Sequence, residues 1–295
     1  MPPVFRDIAM IGAGNVGCTL SRYLYTRGLT VTVLIERDSM KLEQARSAVF
    51  ANGFSTDLAN IPSNATAIMI AVQDHKLREL AEKLASLRRN YTGVFIAHTS
   101  GIRTSEELEP LAALGATTGS FHPIQSFPSP YLDVIRLDGI GCGLEGEESF
   151  LERAKQLADI LGWRPLVVSK ASKTMYHLAC VFAGNLLTVL AADALSILQT
   201  ATSPNTTIAP LAPMIRSVLK EIEQGSPRSA FSGPVLRGDS ATVEQHLIQL
   251  REHQPVMLPV YIELIRRSLG LAGLPESKRS DMLATLAKFD PHPPQ

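Results

Sequence analysis

Two groups of residues far apart in this chain have chemistry to offer. Gly12, Gly14 and Gly17 stand in the run Ile8-Ala-Met-Ile-Gly-Ala-Gly-Asn-Val-Gly17. That spacing lets a backbone turn tightly, approach a pyrophosphate and pack a helix against a strand. With Asn15 and Val16 these glycines form the expected phosphate cradle for a dinucleotide. His122 and His177 suit proton transfer, because imidazole can hold or release a proton near neutral pH. A hydride carrier needs such a partner, since reducing a carbonyl leaves negative charge on its oxygen. A hydrogen bond inside a turn is the other role open to His122, and packing or capping the other for His177. Ser100, beside Gly101, offers a hydroxyl to a substrate or nicotinamide, and serves equally as a turn or helix cap.

Asn185 follows His177 by eight residues. On a regular helix the two are about 80° apart and can line one side of a cleft. Farther on lies Ser232-Gly-Pro-Val-Leu-Arg-Gly-Asp239. Arg237 has the planar fork that matches a carboxylate, and Asp239 either orients it or caps the next helix. Gln125 is a further candidate for substrate binding.

The elements needed to position these groups are legible as alternation. Apolar, β-branched runs at 29–35, 67–72 and 94–97 alternate with helix-compatible stretches at 18–27, 40–51 and 75–87. Buried strands of a parallel sheet look like this. The expected class is α/β, a Rossmann-type doubly wound parallel sheet followed by an all-α C-terminal domain. The ends of its strands then place Ala71, Val72, Gln73, Asp74 and the turn His98–Gly101 at the ligand crevice. His122-Pro123 is expected to turn out of a strand, and residues 139–144 to form a last strand or turn. Expected boundaries are a dinucleotide-binding domain at 1–165, a helical substrate and dimerisation domain at 166–290, and a frayed tail at 291–295 that includes His292.

At the end of the second strand, Glu36 and Arg37 argue in opposite directions. A carboxylate accepts from ribose hydroxyls and favours NAD, whereas a guanidinium holds a 2′-phosphate and favours NADP. Arg37 tips the expectation to NADP, with NAD kept open.

Composition narrows the class further. The chain has 295 residues, 45% hydrophobic and 19% charged, with zero formal net charge, which fits two packed domains and gives no sign of a nucleic-acid partner. Cys18, Cys142 and Cys180 are widely spaced and fit reduced packing residues. No histidine pairing has metal-ligand spacing, and neither a nucleophile elbow nor a phosphate-loop lysine motif occurs, so no metal is expected. The first strand begins within ten residues of Met1, without room for a leader, so a cytoplasmic protein is expected. Residues 178–198 are long and apolar enough for a membrane span, but Asn185 and Asp193 interrupt them. The expectation is a central helix or homodimer interface, and no membrane.

Taken together, the motifs resemble those of two-domain Rossmann-like oxidoreductases whose C-terminal helical domain is of unknown function. The resemblance rests on Gly12-Ala-Gly-Asn-Val-Gly17, Ala71-Val-Gln-Asp74, His98-Thr-Ser-Gly101 and Gly119-Ser-Phe-His-Pro-Ile-Gln-Ser-Phe127. Tyr176-His177 with Asn185, and Gly233-Pro-Val-Leu-Arg-Gly-Asp239, extend it over nearly the whole chain. The group is related to ketopantoate reductases, pyrroline-5-carboxylate reductases, β-hydroxyacid dehydrogenases and prephenate dehydrogenases. Prephenate dehydrogenases carry a catalytic histidine in a His-Pro pair after a strand-end serine. The likeness makes His122 the acid/base group and leaves His177 and Asn185 to orient substrate. Ketopantoate reductases and β-hydroxyacid dehydrogenases place a catalytic lysine about where His177 stands, and this chain departs from them there.

The resemblance implies an NAD(P)H-dependent reductase of a small carboxylate bearing a carbonyl or imine, a ketopantoate-like 2-oxo acid foremost, acting in an interdomain cleft. The alternatives are an oxidative enzyme like prephenate dehydrogenase and a non-catalytic dinucleotide-binding sensor, which the missing lysine would favour.

Overall fold

The computed structural model describes residues 5–88 and 90–290, so the tail 291–295, with His292, lies outside the described residues. The chain divides into two compact units, Met1–Leu186 and Leu187–Gln295.

The first unit is built on eight strands: β1 (Ile8–Ile11), β2 (Val31–Ile35), β3 (Phe54–Ser55), β4 (Ala67–Ile70), β5 (Phe95–His98), β6 (Thr117–Ile124), β7 (Gly141–Gly146) and β8 (Arg164–Val167). They are interleaved with α1 (Asn15–Thr26), α2 (Ser39–Arg46), α3 (Leu77–Leu87), α4 (Glu109–Ala112) and α5 (Glu148–Leu161). The sheet order is β3-β2-β1-β4-β5-β6-β7-β8. Strand order reverses at β1 and β4, the switch point at which doubly wound sheets bind ligands. Alternate residues of each central strand feed opposite faces. Ile8 and Met10 of β1 join one core with Met69 and Phe95, whereas Ala9 and Ile11 join another with Ile68, Ile70 and Ile96. Strands buried on both faces must be apolar throughout, which is why these runs showed no polar alternation.

Several expectations need correction. The sheet is not wholly parallel, because β6 and β7 pair antiparallel. Only a short 3₁₀ turn, Val134–Leu137, lies between them, and without a crossover helix the chain must double back. His122-Pro123 does not turn out of a strand but lies inside β6, opposite Gly143 and Cys142. The helix expected over 40–51 ends at Arg46, since Ala51 bridges to Val31 and leads into β3. The long apolar helix starts earlier than expected, with α6 (Lys173–Val181), and passes through a π-turn at Phe182–Leu186.

The second unit contains α7 (Leu187–Ala201), α8 (Ala212–Gln224), α9 (Pro234–Arg237), α10 (Ser240–His253), α11 (Leu258–Ala272) and α12 (Glu276–Ala287). Val243, Leu247 and Leu250 recur at helical spacing on α10 and bury themselves with Leu258, Ile262 and Leu269 of α11 and Met282 and Leu286 of α12. α7 and α8 have no buried residue. Met214, Val218 and Ile222 form an exposed stripe at four-residue spacing along α8, and Val189, Leu190 and Ile197 are exposed on α7.

Candidate active site

At the sheet's switch point two glycines of the fingerprint have separate steric reasons. Gly12 has φ +102°, and a Cβ there would lie 2.3 Å from the Ala71 carbonyl oxygen. A Cβ on Gly17 would lie 1.9 Å from the Gly12 carbonyl oxygen, while at Gly14 nothing stands within 4 Å. Gly12 and Gly17 therefore let strand, loop and helix close on one another, and Gly14 borders open space. α1 starts at Asn15 with no side-chain cap and no acid in its first turn, leaving its N–H groups for an anion. The Asn15 amide itself donates to the Phe127 carbonyl at 2.8 Å, so only its backbone is available for a phosphate.

Beside the loop is a cavity of about 500 Å³, whose wall includes Gly12, Gly14, Glu36, Arg37, Ala71 and Val72. Its volume suits a nucleoside-sized ligand.

The chemistry-bearing residues converge at the ends of β5 and β6. Nδ1 of His122 lies 2.6 Å from the Tyr176 hydroxyl. The rings of His122 and His177 have centroids 6.2 Å apart. Both edges rest on Gly101, where a Cβ would lie 2.4 Å from Cδ2 of His177 and 2.9 Å from Nε2 of His122. Glycine is required there by close approach. Burial, with the nearby Lys173 charge, pushes His122 down to about 3, so the imidazole is neutral. Burial pushes the Tyr176 phenol well above its ordinary value, so it stays protonated.

Sequence reasoning missed two members of this group, Lys173 and Tyr176. Lys173 is only 1% exposed, and its ammonium donates to the Ser120 hydroxyl at 2.5 Å. Ser120 in turn donates to the Ser100 carbonyl at 3.0 Å. Burial lowers Lys173 to about 8, against the raising influence of Glu145. The departure noted at the lysine is therefore corrected: a buried lysine stands one helical turn before His177, on the same face of α6. The available signal was that i,i+4 relation and a lone cation opening an apolar helix. The case for a non-catalytic sensor loses the absent lysine on which it leaned.

Other sequence candidates have structural partners. Ser100 Oγ accepts from the N–H groups of Ile102 and Arg103, a turn-capping bond. Gln125 donates to the Arg136 carbonyl and accepts from Ser126 N–H, so both ends of its amide tie its own loop. Asn185 is exposed on the π-turn, which breaks the uniform 100° step that put it beside His177. In the second unit Asp239 caps α10, accepting from Thr242 N–H at 3.0 Å and from the Thr242 hydroxyl at 2.7 Å. Arg237 is exposed at the end of α9.

The buried histidines make stability pH-dependent. His98 is fully buried, its Nδ1 accepting from Ser100 N–H and its Nε2 donating to the Thr104 carbonyl at 3.0 Å. Burial holds it down at about 4. Below about pH 6.5 the unfolded chain takes up a proton that folded His98 refuses. Stability is complete above that pH and falls toward pH 4 by up to about 1.4 kcal/mol per pH unit for this one group. Thermal melts between pH 7 and 4 should show a falling midpoint, and His98→Gln should make the decline shallower. An equal decline in the variant would refute the assignment.

Residues 3–123 match the model of a Rossmann-like domain, and residues 140–268 match a domain of unknown function, DUF2520. No curated protein matches the sequence. A Bacteroides fragilis protein provisionally named an NADP oxidoreductase is similar in structure, with TM-score 0.75 and 23% identity over 90% of this chain and 99% of that one. The reductive aminase of Aspergillus terreus, solved with NADPH and ethyl-5-oxohexanoate, has TM-score 0.63 and 14% identity over 91% and 98% of the two chains. The A. aeolicus prephenate dehydrogenase, solved with NAD+ and hydroxyphenyl propionate, has TM-score 0.55 and 14% identity over 90% and 97%. At these identities the likeness shows the shared fold. The DUF2520 match starts before β7, so the matched region takes in strands of the sheet that belong to the first compact unit.

Proposed function

We propose that this protein is an NAD(P)H-dependent oxidoreductase that reduces a small carboxylate bearing a carbonyl or imine, with a ketopantoate-like 2-oxo acid as first candidate. The observation carrying the proposal is the His122–Tyr176 pair against bare Gly101, on a sheet whose switch point has an uncapped helix start and an open Gly14. The cofactors in the similar reductive aminase and prephenate dehydrogenase support the cofactor class. When bound, the nicotinamide supplies the hydride. Backbone N–H groups of Gly14, Asn15, Val16 and Gly17 would hold the pyrophosphate, with Gly12 shaping the turn and Ala71 and Val72 lining the pocket.

His122 acts as a neutral imidazole. Tyr176 donates its hydroxyl proton to Nδ1, which leaves the ring proton on Nε2. From there the Nε2–H donates a hydrogen bond that stabilises the oxygen or nitrogen gaining charge while the ring keeps its proton, and solvent supplies the proton that completes the product. Tyr176 thereby plays the part of an orienting group on that donor. His177 orients the substrate, and Ser100 keeps the turn that presents Gly101. We assign cofactor binding to residues 1–165, and substrate binding and dimerisation to 166–290. Uncovered apolar stripes on α7 and α8 support a homodimer. The helical stretch Lys170–Ala201 is long and apolar enough to cross a membrane by length and composition. A second copy of the chain is the occupant that suits the polar residues within it.

One preparation tests the reading with two measurements. Light scattering should give twice the chain mass without detergent, and NADPH or NADH oxidation should appear with 2-oxo acids or cyclic imines. A monomer removes the dimer. Cofactor binding without turnover on a broad panel, run in both directions, would replace the enzyme with a sensor.

A further inference from the structure

Resting on the reductase reading above, we propose that Lys173 is a positioning residue: its buried ammonium holds the Ser100–Gly101 turn through Ser120 and backs the ring of Tyr176, and it does not itself reach the substrate. A group that hands a proton to substrate has to come within hydrogen-bond reach of the reacting atom. Lys173 is 1% exposed, and the Ser120 hydroxyl that accepts its N–H is itself fully buried. The contact is passed on inside the protein. Ser120 donates to the Ser100 carbonyl at 3.0 Å, next to the Gly101 against which the edges of His122 and His177 rest. The same ammonium lies 5.6 Å from the centroid of the Tyr176 ring, whose hydroxyl meets Nδ1 of His122 at 2.6 Å. An aromatic face attracts a cation at that distance. One buried charge therefore stands behind both the glycine turn and the His122–Tyr176 pair.

The far end of the turn is pinned by a buried charge of the opposite sign. Glu145, 2% exposed, accepts from Ser105 N–H at 2.7 Å and from the Ser105 hydroxyl at 2.8 Å, while His98 Nε2 holds the Thr104 carbonyl. A charge persists in the interior when it is hydrogen-bonded and faces its opposite, and Lys173 and Glu145 meet both conditions. Glu145 and Cys142 of β7, Cys180 of α6 and Asp74 beyond β4 favour the ammonium against its burial, and His98 and His122 are the titratable groups of β5 and β6 that feel its charge. Loss of the proton near pH 8 leaves the brace in place, because a neutral amine still has an N–H to give Ser120.

Kinetics and chemical labelling of the full-length protein test the assignment. In the unaltered enzyme kcat should stay within about twofold from pH 7 to 9, whereas a lysine that hands over its own proton would make it decline by about tenfold per pH unit above 8, a result that overturns the proposal. Lys173→Met removes the charge and the N–H together, so kcat should fall about tenfold to a hundredfold with KM little changed. Lys173→Gln keeps an N–H for Ser120 and should recover part of that loss; an equal loss in both variants counts against the brace. Labelling needs no turnover. Formaldehyde with cyanoborohydride at pH 8, read by peptide mass spectrometry, should methylate the half-exposed Lys170 and leave Lys173 unmodified. Modification of Lys173 as fast as Lys170 would place its amine in an open pocket and refute the proposal. Absence of turnover in the unaltered protein sinks the reductase reading instead, and the labelling then decides whether the amine is enclosed.

Discussion

Replacing His122 with alanine should lower cofactor-dependent turnover by about 10²–10³-fold while NADPH still binds, because the substitution removes the N–H that stabilises the charge gained by the substrate. The size of the effect follows from the surroundings. His122 is neutral, its Nδ1 is within 2.6 Å of the Tyr176 hydroxyl, and its Nε2 edge meets a glycine. Tyr176→Phe removes the hydroxyl but keeps the ring, so its loss should be smaller, about tenfold to a hundredfold, and should fall on kcat more than on KM. With His122 held near 3, the acid limb of the rate profile should lie well below the ordinary histidine range. Steady-state kinetics of the two variants, beside NADPH titrations of each, separate chemistry from binding. Unchanged turnover in His122→Ala would remove this residue from the mechanism.

The second large effect comes from two glycines of one loop that should fail in different ways. In Gly17→Ala the new methyl would stand 1.9 Å from the Gly12 carbonyl oxygen, so α1 must shift away from the loop. The expected cost is about 3 kcal/mol of stability, at the upper end for overpacking, together with weaker cofactor binding. In Gly14→Ala the methyl meets no protein atom within 4 Å. Thermal stability should stay within about 0.5 kcal/mol of the unaltered protein, since nothing in the fold is displaced. NADPH binding should nevertheless fall about tenfold or more, because the methyl projects into the space assigned to the pyrophosphate. Melting curves and titrations on both variants check the contrast. A Gly14→Ala protein that binds NADPH normally would place the pyrophosphate elsewhere.

Local sequence determined a good deal of this protein. The glycine run, the apolar strands and the helices between them follow from steric and burial rules acting over a few residues, and they specify a Rossmann-type unit with its switch point. Gly12 and Gly17 are sterically required because each answers a backbone constraint within one turn or its adjoining strand, whereas Gly14 borders open space. Val243, Leu247 and Leu250 are likewise at helical spacing, and α10 buries them. Two expectations failed where geometry depended on what lay farther along the chain. His122-Pro123 reads locally as a turn, but pairing with β7 holds it in a strand. His177 and Asn185 keep helical phase only on a uniform helix, and the π-turn removes that condition.

The partners of the chemical groups were decided by tertiary structure alone. His122 meets Tyr176 across 54 positions of sequence, and Lys173 meets Ser120 across 53, distances over which no periodicity carries information. Burial, which only the packed fold creates, sets the charge state of His122 and lowers Lys173. Glu36 shows the same division. Its place at the end of β2 was legible in the chain, but whether it serves ribose or the Ala13 N–H depends on where its carboxylate points once the loop has closed.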